Sequence, residues 1–149
     1  MTQDTRSAGP RDAPEDARWA VAGRFLDALS HRDFPALQSC LHPDLRLRAL
    51  VPPGPFELSS AVEAVAKFQT WFGEAEVFEV LEASLSQLGE RFCLQWQARR
   101  GNLGDPASFQ IVEQHVFARV GNSIEEIDLM CSGFQAQYRN HDGTCRVQD

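Results

Sequence analysis

Apolar positions in the first half of the chain recur with a helical period. Trp19, Ala22, Leu26 and Leu29 form one stripe that Phe25 widens, which predicts a helix from Glu15 to about Arg32. Asp33 suits the cap of a second, short helix over Phe34 to Leu41, with Pro35 tolerated in its first turn. His42-Pro43-Asp44 breaks the chain, and Leu45, Leu47 and Ala49 then alternate with Arg46 and Arg48 as in a strand. Pro52-Pro53-Gly54-Pro55 forces a turn. Ser60 followed by Glu63 reads as a capping box for a third helix carrying Val62, Val65, Phe68, Trp71 and Phe72, with Gly73 at its end.

Beyond Gly73 the period shortens to that of strands. Long β-type runs occupy about 76–88, 90–100 and 107–120, and a last one 123–133. Gly89, the stretch Gly101 to Pro106, and Gly121-Asn122 are the turns between them, the last read as a tight two-residue hairpin. Helices first and antiparallel strands last make an α+β domain, a curved antiparallel sheet covered by three helices. Such a sheet, closed on one side, encloses a pocket. The expected organisation is a disordered tail over residues 1–14, one domain over 15–135, and a polar C-terminal tail over 136–149.

Composition narrows the function classes. A chain of 149 residues, 43% hydrophobic and 23% charged, is an ordinary globular domain. A net charge of −7 and a pI near 5.0 exclude the basic footprint that nucleic acid or an anionic membrane surface requires. Cys40, Cys93, Cys131 and Cys145 are widely spaced with no CxxC pair, so neither a metal nor a cofactor is expected. The polar stretch Met1 to Pro14 has no apolar centre, hence no signal peptide or membrane span, and reduced thiols in a cytoplasmic protein are the expectation.

The last hairpin carries the candidate chemistry. A two-residue turn at Gly121-Asn122 sets His115 opposite Asp128, Phe117 opposite Glu126 and Glu113 opposite Met130 on one face, with Val116–Ile127 and Gln114–Leu129 on the other. Opposed Cβ atoms lie roughly 4.5–5.5 Å apart, close enough for an imidazole–carboxylate contact. Periodicity leaves open which face looks inward. Phe68, Trp71, Phe72, Phe92, Trp96, Phe109 and Phe117 either line a cavity or fill it, and Phe92, Leu94, Trp96 and Ala98 share one face.

The stretch FLDALSHRDFPALQSCLHPDLRLRAL resembles the opening of nuclear transport factor 2-like proteins, which include SnoaL-like polyketide cyclases and ketosteroid isomerases. HVFARVGNSIEEIDL resembles their final hairpin. The resemblance spans about residues 16–134 and implies a cone-shaped sheet around a small-molecule pocket, and a homodimer paired through the sheets. It also implies an inward His115, at the position where ketosteroid isomerases hold an oxyanion-donating acid. The rest of that isomerase machinery is missing, because Phe25 stands where the family has a hydroxyl donor and Ala49-Leu50 where it has a carboxylate. Epoxide-hydrolase-like chemistry would need an Asp-Arg-Asp group, and a scytalone-dehydratase-like site two histidines.

Two readings stay open. One is a homodimer binding a small, largely apolar molecule, with SnoaL-like acid/base chemistry at His115 and Asp128 and a ligand surface of Phe25, Phe68, Trp71, Phe72, Trp96, Glu113, Phe117 and Met130. The other is a non-catalytic module that sequesters a ligand or serves protein interaction.

Overall fold

The computed structural model describes residues 13–139 and 145–148. The tail expected over residues 1–14 therefore falls outside the described residues up to residue 12. Helix α1 runs Glu15–Ser30, α2 Phe34–Ser39 and α3 Ala61–Phe72. Strands follow as β1 Leu41–Leu50, β2 Phe56–Leu58, β3 Val77–Leu88, β4 Arg91–Asn102, β5 Asp105–Val120, β6 Ile124–Cys131, β7 Gln135–Arg139 and β8 Cys145–Gln148.

Local chemistry sets the helix ends. The Asp33 carboxylate accepts from the Ala36 N–H at 3.1 Å and starts α2. At α3, Ser60 Oγ accepts from the Glu63 N–H at 3.1 Å, while Glu63 Oε1 reaches back to the Ser59 N–H at 2.9 Å. Helix α1 closes in a Schellman motif: the Asp33 N–H bonds Ala28 O at 2.9 Å and the Arg32 N–H bonds Leu29 O at 3.0 Å. The motif places Arg32 at φ 53°, a conformation that favours glycine. An arginine is held there because its guanidinium donates to Phe72 O at 3.1 Å and Ala75 O at 2.6 Å. The Phe72 carbonyl at the end of α3, which has no partner inside the helix, is thereby satisfied by a cation at the negative end of its dipole, and the same guanidinium ties down the segment beyond at Ala75.

The strands form one open sheet in the order β2-β1-β6-β5-β4-β3, with β7 attached to β5 and β8 to β7. It is mixed rather than purely antiparallel, since β1 runs parallel to β6, with Ala49 beside Leu129 and Leu50 beside Met130. A polar tail is expected from Ala136 on, but strand pairing continues there. β6 leaves β5 after the Gln114–Cys131 pair, and β7 takes up the vacated edge at Gln110–Ala136 and Ile111–Gln135. Backbone groups of the long β5 thus keep partners beyond the reach of β6.

All three helices cover one face. Val21, Phe25 and Leu29 of α1 and Ala64, Phe68 and Phe72 of α3 pack on Leu45, Leu47, Phe92, Leu94, Trp96, Val112, Val116, Ala118, Ile127 and Leu129 of the sheet. Phe25, Phe68, Phe72 and Trp96 have no exposed surface and meet ring to ring with centroids 5.9–6.4 Å apart. Each such side chain contributes about 1.5–3 kcal/mol by leaving water.

The latch at Arg32 is testable by urea denaturation. Arg32→Ala keeps the strained φ and loses the carbonyl contacts, so stability should fall by about 2 kcal/mol. Arg32→Gly relieves the strain and should recover about 1 kcal/mol of that loss. Equal stability of both variants and the parent would show that the guanidinium holds nothing.

Candidate functional site

The β5–β6 hairpin departs from the expected two-residue turn. Val120 pairs with Ile124 across the three residues Gly121-Asn122-Ser123, and a bulge then shifts the ladder so that Arg119 faces Glu126. Neither Gly121 nor Asn122 takes the positive φ that a type I′ turn demands. The physical reason lies in β6. Ile124, Ile127 and Leu129 are all buried, yet Ile124 and Ile127 are three apart, so strict alternation would expose one of them. One extra residue in the strand returns both to the core face.

The bulge corrects the pairing expected for His115. Its partner is Met130, and Asp128 lies opposite Phe117. The shift is of two residues, so His115, Phe117, Glu113, Asp128 and Met130 do share a face, and it is the outer one. Val112, Gln114, Val116, Ala118 and Val120 are the buried alternates beneath the helices, and Gln114 occupies the inward place expected of His115. His115 Nε2 bonds Glu113 Oε2 at 2.6 Å on its own strand, both side chains being about two-fifths exposed. Asp128 instead accepts from Arg48 Nε at 2.8 Å and lies 3.7 Å from Arg91. That bond and the adjacent carboxylate charge raise the Arg48 guanidinium above its ordinary range.

Of the expected ligand surface, Phe25, Phe68, Phe72 and Trp96 fill the interior instead of lining a void. Trp96 Nε1–H donates to Gln114 Oε1 at 2.9 Å, which satisfies two polar groups in an otherwise apolar core. Glu113, Phe117 and Met130 lie outside, beside depressions of about 460 and 620 Å³ on the outer sheet face. Trp71 alone of that set borders the cleft at the sheet's end, a hollow of about 660 Å³.

That cleft follows from topology. Parallel neighbours β1 and β6 deliver their following segments to the same end of the sheet, so Val51–Pro55 faces Ser132–Phe134. Lys67 and Trp71 of α3 supply a side wall, with Phe56, Cys131 and Gln135 completing it. Gly133 sits at φ 84°, and a Cβ there would come within 2.7 Å of Pro52 Cγ, so only glycine lets the two walls approach. Trp71 and Phe134 back onto the aromatic core through Phe68 and Phe72, at centroid distances of 5.5 and 6.1 Å.

Polar groups around the cleft are few. Arg100 stacks on Phe134, 3.4 Å from its ring centroid, and donates to the Trp71 carbonyl and to Gln110 Oε1. Burial pushes this guanidinium below its ordinary range, with Glu74 opposing the shift. Cys131 Sγ accepts from Gln114 Nε2 at 3.3 Å and from the Gly133 N–H at 3.4 Å. Elsewhere, burial raises the Cys40 thiol, with Arg24 pulling the other way. Among the described residues no group of three or more His, Cys, Asp or Glu is placed to hold a metal, and no helix is long and apolar enough to cross a membrane. Sequence reasoning missed Lys67, Phe134 and the wall Pro52–Gly133. The Pro-Pro-Gly-Pro run announces a turn and not a wall, and the one lysine of the chain is the signal that marks the cleft.

The two orientations on β5 predict opposite mutational outcomes. Trp96→Phe strands the Gln114 amide oxygen in the core and should cost about 1–3 kcal/mol in chemical denaturation. His115→Ala, on the outer face, should stay within about 0.5 kcal/mol of the parent. The reverse ranking would mean that the strand presents the other face to the helices.

No protein-family model matches the sequence, and no curated protein matches it. Solved structures do. An LEH-like epoxide hydrolase from M. tuberculosis superposes with a TM-score of 0.61 at 16% identity, over 80% of this chain and 86% of that one. A protein of ketosteroid isomerase-like fold from Catenulispora acidiphila, solved in complex with trimethylamine, gives 0.60 at 14% identity over 80% and 87%. An NTF2-like protein from Burkholderia xenovorans gives 0.59 at 13% identity over 78% and 90%. Likeness at these identities is likeness of fold. Three helices laid across one face of this open, curved sheet are thus the nuclear transport factor 2-like fold, which ketosteroid isomerase-like proteins share.

Proposed function

We propose that the protein binds a small, largely apolar organic molecule in the cleft between Val51–Pro55, α3 and Ser132–Gln135, and that it holds this ligand rather than transforms it. The observation that carries the reading is the cleft itself: about 660 Å³, lined by three prolines together with Phe56, Trp71 and Phe134. Ligand sites for small molecules commonly measure about 300–1,000 Å³ and are mainly apolar with few polar groups. Acid/base catalysis by His115 and Asp128 has little support, since both side chains lie on the outer face and each is paired elsewhere. Cleft residues that titrate are Lys67 and Cys131, and no carboxylate or imidazole accompanies them in the lining. Thiols at Cys40, Cys93 and Cys131 are free, which suits a reducing compartment such as the cytoplasm.

The occupant's site is tested with Nile red, a neutral apolar dye whose emission rises on leaving water. The parent protein should enhance it saturably, and Gln135→Trp, which places an indole in the cleft, should weaken binding at least tenfold with an unchanged circular dichroism spectrum. Undiminished binding by the variant, or none by the parent, overturns the assignment.

The outer sheet face supports a second part of the reading, pairing of two copies. Leu50 and Met130 are 55% and 53% exposed and lie side by side next to Phe117. Around them Arg48, Asp128, Arg91, Glu126 and Arg119 alternate in sign, so a two-fold axis through the patch can bring acid against base. Sedimentation should show a dimer for the parent and a monomer for Met130→Asp. A monomeric parent ends the proposal.

A further inference from the structure

We infer that the ligand of this cleft carries an acidic headgroup, a carboxylate on an apolar body, and that the Lys67 ammonium recognises it. The inference rests on the cleft being the ligand site. Its first support is a local reversal of charge. The chain holds 21 acidic residues against 14 basic ones, yet no residue lining the cleft is acidic, and the single lysine of the protein lines it.

The second support is that Lys67 has no counter-ion among the described residues. Arg48, Arg91, Arg99 and Arg119 each face a carboxylate across the sheet. Arg32 and Arg100 are spent on backbone carbonyls. Lys67 has only the face of Phe56, 4.7 Å from its Nζ. The natural partner one helical turn back is Glu63, whose carboxylate is turned to the start of α3 and bonds the Ser59 N–H at 2.9 Å. Lys67 is a residue of intermediate exposure, and with no carboxylate beside it its ammonium is left to attract an anion entering the cleft.

Geometry then orders the ligand. Lys67, Phe56 and Trp71 adjoin on one wall, from which Trp71 and Phe134 lead on toward the aromatic core. An amphipathic acid can set its apolar body against the rings and its carboxylate on the ammonium.

Octanoate and 1-octanol, alike in chain and different in head, separate the contributions when titrated calorimetrically into the parent, Lys67→Met and Lys67→Arg. The parent should prefer octanoate. Lys67→Met keeps the packed stem and should lose about tenfold in octanoate affinity while binding octanol within about twofold, and Lys67→Arg should restore octanoate. Retained octanol binding shows that the methionine variant folds. Equal octanoate affinity with and without the ammonium overturns the acidic headgroup and leaves the apolar cleft standing. Failure of the parent to bind either compound, or to release Nile red to them, overturns the cleft together with the inference.

Discussion

Much of the molecule depends on β6 having to bury two isoleucines that stand three positions apart. Ile124 and Ile127 can both reach the core only if the strand gains a residue between them, and the bulge beside Glu126 supplies it. The displaced ladder then decides every cross-strand neighbour above it. Val116 meets Leu129 inside, Met130 meets His115 outside, and Cys131 meets Gln114 at the strand's end. Gln114 in turn fixes the Trp96 indole through a fully buried hydrogen bond. A register set by apolar burial thus places both the polar centre of the core and the thiol bordering the cleft.

Filling the interior has a consequence for the cleft. Where the curved sheet could enclose a void, Phe25, Phe68, Phe72 and Trp96 pack ring against ring and leave none of their surface exposed. Interiors this dense do not yield space cheaply. Room for another molecule is left at the end of the sheet, where Trp71 and Phe134 continue the aromatic cluster outward. The same rings therefore serve the core on one side and the cleft on the other.

Signals confined to neighbouring residues were legible in the sequence. Asp33, Ser60 with Glu63, and the alternation along β4 mark their elements because each rests on contacts within a few positions. The facing of β5 was not legible, since apolar residues occur on both of its faces: Val116 and Ala118 on one, Phe117 on the other. Gly121-Asn122 carried the residue types of a tight turn, and the competing demand of Ile124 and Ile127 prevailed because burial outweighs a local turn preference. The cleft was harder still. It needs the parallel contact of Leu50 with Met130, and nothing within either segment announces a partner eighty residues away.

That parallel pairing separates two duties within one chain. Had β1 run against β6, the segments following them would have left from opposite ends and formed no common wall. As built, the proline-rich turn and the Ser132–Phe134 link lie beyond the last paired residues, where insertions or exchanges leave every ladder rung intact. The lining of the cleft can therefore change while the scaffold beneath stays constant, provided that Gly133 keeps its place against Pro52.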